Sequence, residues 1–322
     1  MSIEEPGTGK RGDAPGWERK VLEKLALEEI AEQRRGRRWG IFFKLLGFAY
    51  LLVLLGIMVD WGNTERLAEG QKFTALVNLT GIIQDGGDAS AENITTALRA
   101  VFGNKHTAGV VLRINSPGGS PVQAGMISDE IRRLRKQYPA IPLYAVIEDI
   151  CASGGYYVAA TADRIFVDKA SIVGSIGVLM NGFGFTGAME KLGVERRLLT
   201  AGENKGFMDP FSPENPAQKV YAQQMLDEVH AQFIEVVRKG RGKRLHETPE
   251  MFSGLVWSGA KSIELGLADD YGTVDSVARD IIKAENIRDF TVKPNFAEKL
   301  AGRFGAQAGG ALADALARVT LR

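Results

Sequence analysis

The chain has little cysteine, little histidine and little net charge. A single cysteine, Cys151, among 322 residues excludes a disulfide within the chain. The 40 Lys and Arg residues nearly balance the 39 Asp and Glu residues, and a formal charge of +1 gives no basic excess that would predict nucleic acid as a partner. The three histidines, His106, His230 and His246, lie on a predicted helix or in polar connections, which argues against a Ser-His-Asp triad.

A long apolar run near the start of the chain follows a cluster of arginines. Four arginines between positions 34 and 38 precede residues 39–59, which are apolar apart from Lys44. A transmembrane helix needs about 20 mostly apolar residues, and Lys44 lies close enough to the basic end for its amine to reach the lipid headgroups. The run predicts a membrane anchor with the arginines in the cytoplasm. A cleaved signal peptide and a buried core helix are the alternatives.

Composition divides the chain into five segments. They are a cytoplasmic tail (1–38) with a helical pattern over 17–33, the anchor (39–59), a linker (60–72), a folded domain (73–290) and an Ala/Gly-rich C-terminal tail (291–322). The C-terminal tail is compatible with disorder or with an interaction helix.

Strand-like and helix-like stretches alternate in the folded domain. Predicted strands are 73–80, 109–115, 142–147 and 164–167, and predicted helices are 91–102, 121–137 and 154–162, followed by a helix and a strand that ends at Leu199. Alternation in units of about thirty residues is typical of βαβ crossovers, so we expect an α/β domain with a parallel sheet. An apolar stripe at three- and four-residue intervals predicts a long helix over 216–239.

Two glycine-rich junctions follow successive predicted strands. The first is Asn115-Ser-Pro-Gly-Gly-Ser120, and the second, which ends in Ala152-Ser-Gly-Gly155, places Ser153 at the start of a helix. Glycines at the carboxyl edge of a sheet can direct N–H groups into a cavity, as an oxyanion hole requires. A tight turn is the alternative for the first junction, and a helix-capping serine is the alternative for the second. Taken without other information, the residues leave Ser153 equally open as a nucleophile and as a cap.

A nucleophilic serine needs a base, and Lys205 is the candidate. A lysine can accept a proton when burial disfavours its charged form. Lys205 lies in a loop over 200–211 with glycine, proline and aromatic residues that could surround it. A solvated loop lysine is the alternative, and the residues alone favour that alternative.

In their order along the chain, these motifs resemble those of the signal peptide peptidase A family of bacterial serine peptidases, in its short single-domain form. The matching motifs are Asn115-Ser-Pro-Gly-Gly119, Ala152-Ser-Gly-Gly-Tyr-Tyr157, Val173-Gly-Ser-Ile-Gly177 and Thr200-Ala-Gly-Glu-Asn-Lys205. A closing segment over 257–267 is similar as well, and the similarity extends over residues 73–285.

The resemblance implies an α/β fold of the crotonase and caseinolytic-protease type, preceded by one transmembrane helix. It implies that Ser153 is the nucleophile, that Lys205 is its base and that Ser175 orients Lys205. The backbone N–H groups of Gly119 and Gly154 would form the oxyanion hole. Neither a metal nor another cofactor is implied.

The resemblance also implies partners and a location. The chain would form a homo-oligomeric ring, with an octamer as the candidate size, in which neighbouring subunits share the serine and the lysine. Its substrates would be remnant signal peptides and other short or unfolded apolar peptides. The anchor would contact membrane lipid in the bacterial inner membrane, with the N-terminus cytoplasmic and the catalytic domain periplasmic. A crotonase-type acyl-CoA enzyme and a non-catalytic ring-forming scaffold are the alternative functions.

Overall fold

A computed structural model describes residues 37, 39–53 and 70–292. The chain divides into two compact units, Met1–Gln71 and Lys72–Arg322. In the first unit, helix α1 spans residues 39–53 and is exposed. Within the described ranges, no helix has both the length and the apolar character needed to cross a bilayer. Residues 54–59 of the predicted anchor lie outside the described residues, as do the helical pattern over 17–33 and residues 293–322, so these features stay predictions.

The second unit alternates strands and helices as the sequence predicts. Its elements are β1 (Phe73–Thr80), α2 (Ala91–Phe102), β2 (Thr107–Ser116), α3 (Pro121–Gln137), β3 (Leu143–Ala152), α4 (Gly154–Ala159), β4 (Arg164–Val167), β5 (Ile172–Gly174), α5 (Thr186–Lys191), α6 (Pro216–Arg241), β6 (Val256–Ser258), α7 (Gly259–Glu264), β7 (Asp270–Tyr271), α8 (Val274–Ser276) and β8 (Ile287–Asp289). A 3-10 turn, Gly242–Arg244, follows α6, and a π-helix, Val277–Ile282, follows α8. The bounds of β1, α2 and α3 agree with the predicted ones.

These strands form one mostly parallel sheet that forks at β3. The main path is β6-β5-β3-β2-β1-β8, and off this path β4 pairs with β3 and β7 pairs with β4. Residues 144–146 of β3 pair with β4, whereas residues 150–152 pair with β5. The fork coincides with an irregularity in the register between β2 and β3. As a result of the fork, the last residue of β3, Ala152, lies beside the last residue of β5, Gly174.

Alternate side chains of the central strands enter two apolar clusters. Val110 and Leu112 of β2 belong to the larger cluster, and Val111 between them belongs to the smaller one. Successive side chains of a strand point to opposite faces, so the two clusters lie on opposite faces of the sheet. Helices α2, α3 and α4 contribute to the larger cluster, and Val277 of the π-helix contributes to the smaller one.

The predicted helix and strand before Leu199 are only half correct. Helix α5 forms, but residues 194–200 form no strand. Leu198 is 42% exposed and Leu199 is 98% exposed, so these apolar side chains lie outside the sheet and its core. They belong to a long segment, residues 177–221, in which no residue is buried. We call this segment the arm.

A buried ion pair fastens the end of α6 to the sheet. The Arg241 side chain is 0% exposed and donates to both carboxylate oxygens of Asp269 at 2.8 Å. Asp269 also accepts the backbone N–H of Ile165, in β4, at 2.6 Å. Burial acts to raise the pKa of Asp269, but the hydrogen bond and charge of Arg241, with the Ile165 N–H and Arg244, outweigh it and hold that pKa below its ordinary value. The carboxylate therefore stays ionised at neutral pH.

Replacing Arg241 with methionine tests the contribution of this pair. Because Asp269 would lose its two buried hydrogen bonds from Arg241 and keep only the more exposed Arg244 as a charged partner, we expect Arg241→Met to lower the free energy of unfolding by about 3 kcal/mol, the lower end of the cost of breaking a buried pair. Lys239→Met is the control, because it removes an exposed pair with Glu235 on the same helix and should cost less than about 1 kcal/mol. Denaturant unfolding measures both values, and equal losses would contradict a special role for the buried pair.

The stability lost in Arg241→Met should also depend on pH. A carboxyl group whose folded-state pKa is lowered stabilises the fold above its unfolded pKa of about 3.9. That contribution is lost as the pH falls through the lower, folded-state value. The stability difference between the wild type and Arg241→Met should therefore be largest at neutral pH and narrow as the pH falls, because Asp269 takes up its proton at a higher pH in the variant than in the wild type.

Candidate active site

Ser153 occupies a strained turn between β3 and α4. Its backbone has φ 51° and ψ −122°, a region that costs a residue with a side chain about 1–3 kcal/mol. The side chain makes no capping hydrogen bond to α4, so the structure does not support the capping alternative. The Ser153 N–H donates to the carbonyl of Gly174 at 2.9 Å, which anchors the turn to β5. The Ser153 hydroxyl is therefore not used to cap the helix and is available to react.

Ser175, which lies beside Ser153, has nearly the same positive φ. Ala152 pairs with Gly174 in the ladder between β3 and β5, so each serine directly follows one member of a paired couple. Ser175 has φ 50°, and its N–H donates to the carbonyl of Leu255 at 2.7 Å. The fork in the sheet therefore brings two strained serines to the same edge.

A cavity of about 590 Å³ adjoins both serines. Four of the five predicted site residues line it: Ser153, Ser175, Gly119 and Gly154. Apolar and aromatic side chains form much of the remaining wall, among them Ala124, Tyr157, Val178, Leu179, Val229 and Phe233. The cavity is suited to an apolar ligand that places one polar group next to Ser153.

Two backbone N–H groups next to Ser153 are available to a ligand. A Cβ atom built on Gly154 would lie 3.4 Å from the nitrogen of Gly119, which places the two residues in close contact. Neither N–H donates to another group in the part of the chain that the structure describes. Unpaired N–H donors beside a hydroxyl are the groups that stabilise the oxyanion of an acyl-transfer reaction.

Gly118 is a site residue to which the sequence pattern gave no separate role. Its φ is 102°, and a Cβ atom there would lie 2.7 Å from the Cβ of Ser153 and 2.8 Å from the nitrogen of Gly154. Real Cβ atoms do not approach other atoms so closely, so only glycine fits. Gly118 thus lets the loop after β2 pack directly on the serine turn.

Lys205 does not line this cavity. The residue is exposed on the arm, and its N–H donates to the carbonyl of Gly202 at 3.1 Å. One chain therefore brings together the nucleophile candidate, Ser175 and the two glycine donors but leaves the candidate base outside. The assignment of Lys205 as the base stays a prediction.

Other groups with possible chemistry lie near the serines. Burial raises the pKa of the Cys151 thiol well above its usual range, which disfavours a thiolate at this position. His230 of α6 has its Nε2 atom 3.2 Å from the carbonyl oxygen of Ile176, next to Ser175. No local sequence pattern predicts this contact, because it joins two segments far apart in the chain. Among the described residues, no group of His, Cys, Asp and Glu side chains is arranged to hold a metal ion.

Comparisons with known proteins place this site in a family. The profile of Peptidase family S49 matches residues 135–288, a stretch that contains Ser153, Ser175 and Lys205. A putative signal peptide peptidase SppA of Enterococcus faecium is 31% identical over 238 residues, which cover 71% of this chain and 69% of that protein. A putative protease of Methanocaldococcus jannaschii is 32% identical over 274 residues, which cover 82% of this chain and 86% of that protein. The chain belongs to Peptidase family S49.

A further relative carries a different name. A protein of Brucella abortus named Na(+)/H(+) antiporter NhaA is 41% identical over 209 residues, which cover 63% of this chain. This chain spans only 28% of the length of that protein, so the name describes a protein that lies mostly outside the similarity.

A methyl group at Gly118 should disable Ser153. We expect Gly118→Ala to slow the labelling of Ser153 by a fluorophosphonate at least about a hundredfold, because the added carbon would displace both the serine and the Gly154 N–H. Gly125→Ala on α3 is the matched control, since a Cβ atom there would meet nothing within 4 Å. Labelling rates, with thermal unfolding of both variants, measure the effect. Normal labelling of a folded Gly118→Ala protein would show that this close packing is not needed.

Proposed function

We propose that this chain is a serine peptidase that cleaves signal peptides and other short or unfolded apolar peptides, with Ser153 as its nucleophile. The observation that carries the proposal is the strained Ser153, which lies in an apolar cavity beside the unpaired N–H groups of Gly119 and Gly154. Membership of Peptidase family S49 and the protease names of the relatives support the reaction type. The name of the Enterococcus protein supports signal peptides as the substrate class.

The proposed reaction has two halves. The Ser153 oxygen attacks the peptide carbonyl carbon while Lys205 takes the hydroxyl proton, and the N–H groups of Gly119 and Gly154 bind the oxyanion. The intermediate collapses as the lysine returns the proton to the departing amine, which leaves an acyl ester on Ser153. Lys205 then takes a proton from the water that attacks the ester, and it returns this proton to the Ser153 oxygen as the acid leaves, which restores the free hydroxyl and the neutral amine. No cofactor takes part in either half.

The position of Lys205 supports a site shared between subunits. A lysine amine accepts a proton only in its neutral form, and burial away from water favours that form. Lys205 is exposed in a single chain and does not line the Ser153 cavity. A neighbouring copy that placed its Lys205 in the cavity would bury the amine and complete the dyad, with Ser175 as its hydrogen-bond partner.

The apolar surface of the arm supports the same assembly. Large apolar side chains on it are 74–98% exposed: Phe183, Leu192, Leu179 and Leu199. Folded soluble proteins rarely leave apolar patches of this kind uncovered unless they bind a partner. A further copy of the chain would cover the arm, and head-to-tail contacts that close on themselves give a ring, for which an octamer is the candidate size.

The proposal includes a fold type and a cellular location for the domain. A parallel sheet with alternating helices and a fork before the nucleophile is compatible with the crotonase and caseinolytic-protease type. The predicted anchor over 39–59 would hold the chain in the bacterial inner membrane, with its catalytic domain on the periplasmic side.

Fluorophosphonate labelling tests the nucleophile and the base. We expect one labelled site in the wild type, no label in Ser153→Ala, and labelling slowed about 10²–10⁴-fold in Lys205→Ala, because general-base catalysis typically contributes that factor. Lys191→Ala, which removes another exposed lysine of the arm, is the matched control and should label normally. Mass spectrometry locates the adduct. A label that survives Ser153→Ala would contradict the proposed nucleophile.

Mixing inactive variants tests whether the site is shared. Rings assembled from equal amounts of Ser153→Ala and Lys205→Ala protein should recover about a quarter of wild-type peptidase activity, because that fraction of head-to-tail contacts joins an intact serine to an intact lysine. Each variant mixed with the double variant Ser153→Ala/Lys205→Ala serves as the control and should stay inactive. Mixed rings without recovered activity would indicate a dyad within one chain.

A further inference from the structure

One side chain of α6 is hydrogen-bonded to the backbone next to Ser175. We infer that this residue, His230, is a positioning residue of the active site, because its imidazole holds the turn that carries Ser175 against α6. The inference rests on the function proposed above and assigns a task to a histidine that no step of the proposed reaction uses.

The chemistry of the contact fixes the direction of the hydrogen bond. The Nε2 atom of His230 lies 3.2 Å from the carbonyl oxygen of Ile176, and a carbonyl oxygen can only accept. Nε2 must therefore carry the hydrogen. Both the neutral ring with its proton on Nε2 and the doubly protonated ring can donate this bond.

The Ile176 carbonyl depends on this donor. The N–H of Gly177 donates to the carbonyl of Ser175 at 2.9 Å, which makes Ile176 the centre of a three-residue turn. The Ile176 side chain is buried in the larger apolar cluster, which fixes how its peptide group is oriented. No other group in the described part of the chain donates to its carbonyl oxygen. An acceptor that loses its donor in a partly buried place destabilises the conformation that holds it there.

The hydrogen bond joins two walls of the same cavity. Val229 and Phe233, which flank His230 on α6, line the cavity from one wall. Ser175 and Gly177 line it from the other. Among the described hydrogen bonds, this is the one that connects α6 with the backbone at residues 174–179. It therefore ties α6 to the backbone after Ser175 at a point beside the cavity.

The consequence for catalysis follows from the strain at Ser175. A backbone with φ 50° persists only where its surroundings hold it on both sides. The Leu255 carbonyl holds the N–H of Ser175, and His230 holds the peptide group between Ile176 and Gly177, whose N–H in turn donates to the Ser175 carbonyl. Without His230 the turn can relax and carry the Ser175 hydroxyl away from the position in which it would orient Lys205. Displacing the Ser175 hydroxyl would raise the free energy of the transition state more than it would weaken substrate binding.

Three variants test the inference on peptide hydrolysis, with rates expressed per Ser153 that a fluorophosphonate can label. We expect His230→Leu to lower kcat about tenfold with KM changed less than about twofold, since an orphaned acceptor costs of that order. His230→Gln should recover most of the lost kcat, because its amide can donate at the Nε2 position. His246→Leu is the matched control, since it removes another imidazole-to-carbonyl contact, that of Nδ1 with Glu264 at 2.8 Å, and should keep wild-type kcat.

The possible outcomes separate the inference from the proposed function. An unlabelled or inactive wild-type protein overturns both. An active wild type whose His230→Leu variant keeps its kcat, or whose His230→Gln variant is as impaired as His230→Leu, overturns the role of His230 alone. If His230→Leu does not fold, His230→Asn replaces it, because its shorter amide cannot reach the Ile176 carbonyl. A gap in kcat between His230→Gln and His230→Asn then supports the inference, and equal values overturn it.

Discussion

Two serines hold the backbone in a conformation that costs free energy, and the proposed active site is arranged around them. Ser153 has φ 51° and Ser175 has φ 50°, in a region that most side chains avoid. Both serines follow residues that pair with each other, Ala152 and Gly174, so one ladder fixes both turns. Hydrogen bonds from each serine N–H to a neighbouring carbonyl keep the turns from relaxing. Strain of this kind persists in a folded protein only where packing and hydrogen bonds outweigh its cost.

The rest of the fold supplies those constraints. Along β3 the pairing partner changes from β4 to β5. The strand therefore ends beside β5, and the turns that follow the two strands meet. Gly118 lets the loop after β2 pack against the back of Ser153, and no larger residue could take its place. Helix α6 forms a wall of the cavity, and the buried pair of Arg241 with Asp269 fastens its end to the sheet. The arm differs from the sheet and its packed helices, because none of its residues is buried in a single chain.

Local patterns in the sequence predict much of the fold but only part of the site. The structure confirms the predicted bounds of α2 and α3, and it shows the side chains of Ser90 and Ser120 capping these two helices. The fork, the approach of Gly118 and the contact of His230 join residues distant in the chain, and no local pattern encodes them. The sequence around Ser153 fits a helix cap as well as a nucleophile, because either residue can directly precede the first residue of a helix. The strand predicted before Leu199 is wrong because exposed apolar residues give the same pattern as a core strand.

The central claim is that Ser153 reacts between two backbone N–H groups and the lysine of a neighbouring subunit. A crystal structure of the assembled protein with a fluorophosphonate bound tests it most directly. We expect the phosphorus on the Ser153 oxygen, a phosphoryl oxygen within hydrogen-bonding distance of the Gly119 and Gly154 nitrogens, and the Lys205 amine of a neighbouring chain beside Ser175. An adduct on another residue, or an assembly in which no neighbouring Lys205 reaches the Ser153 cavity, would contradict the claim.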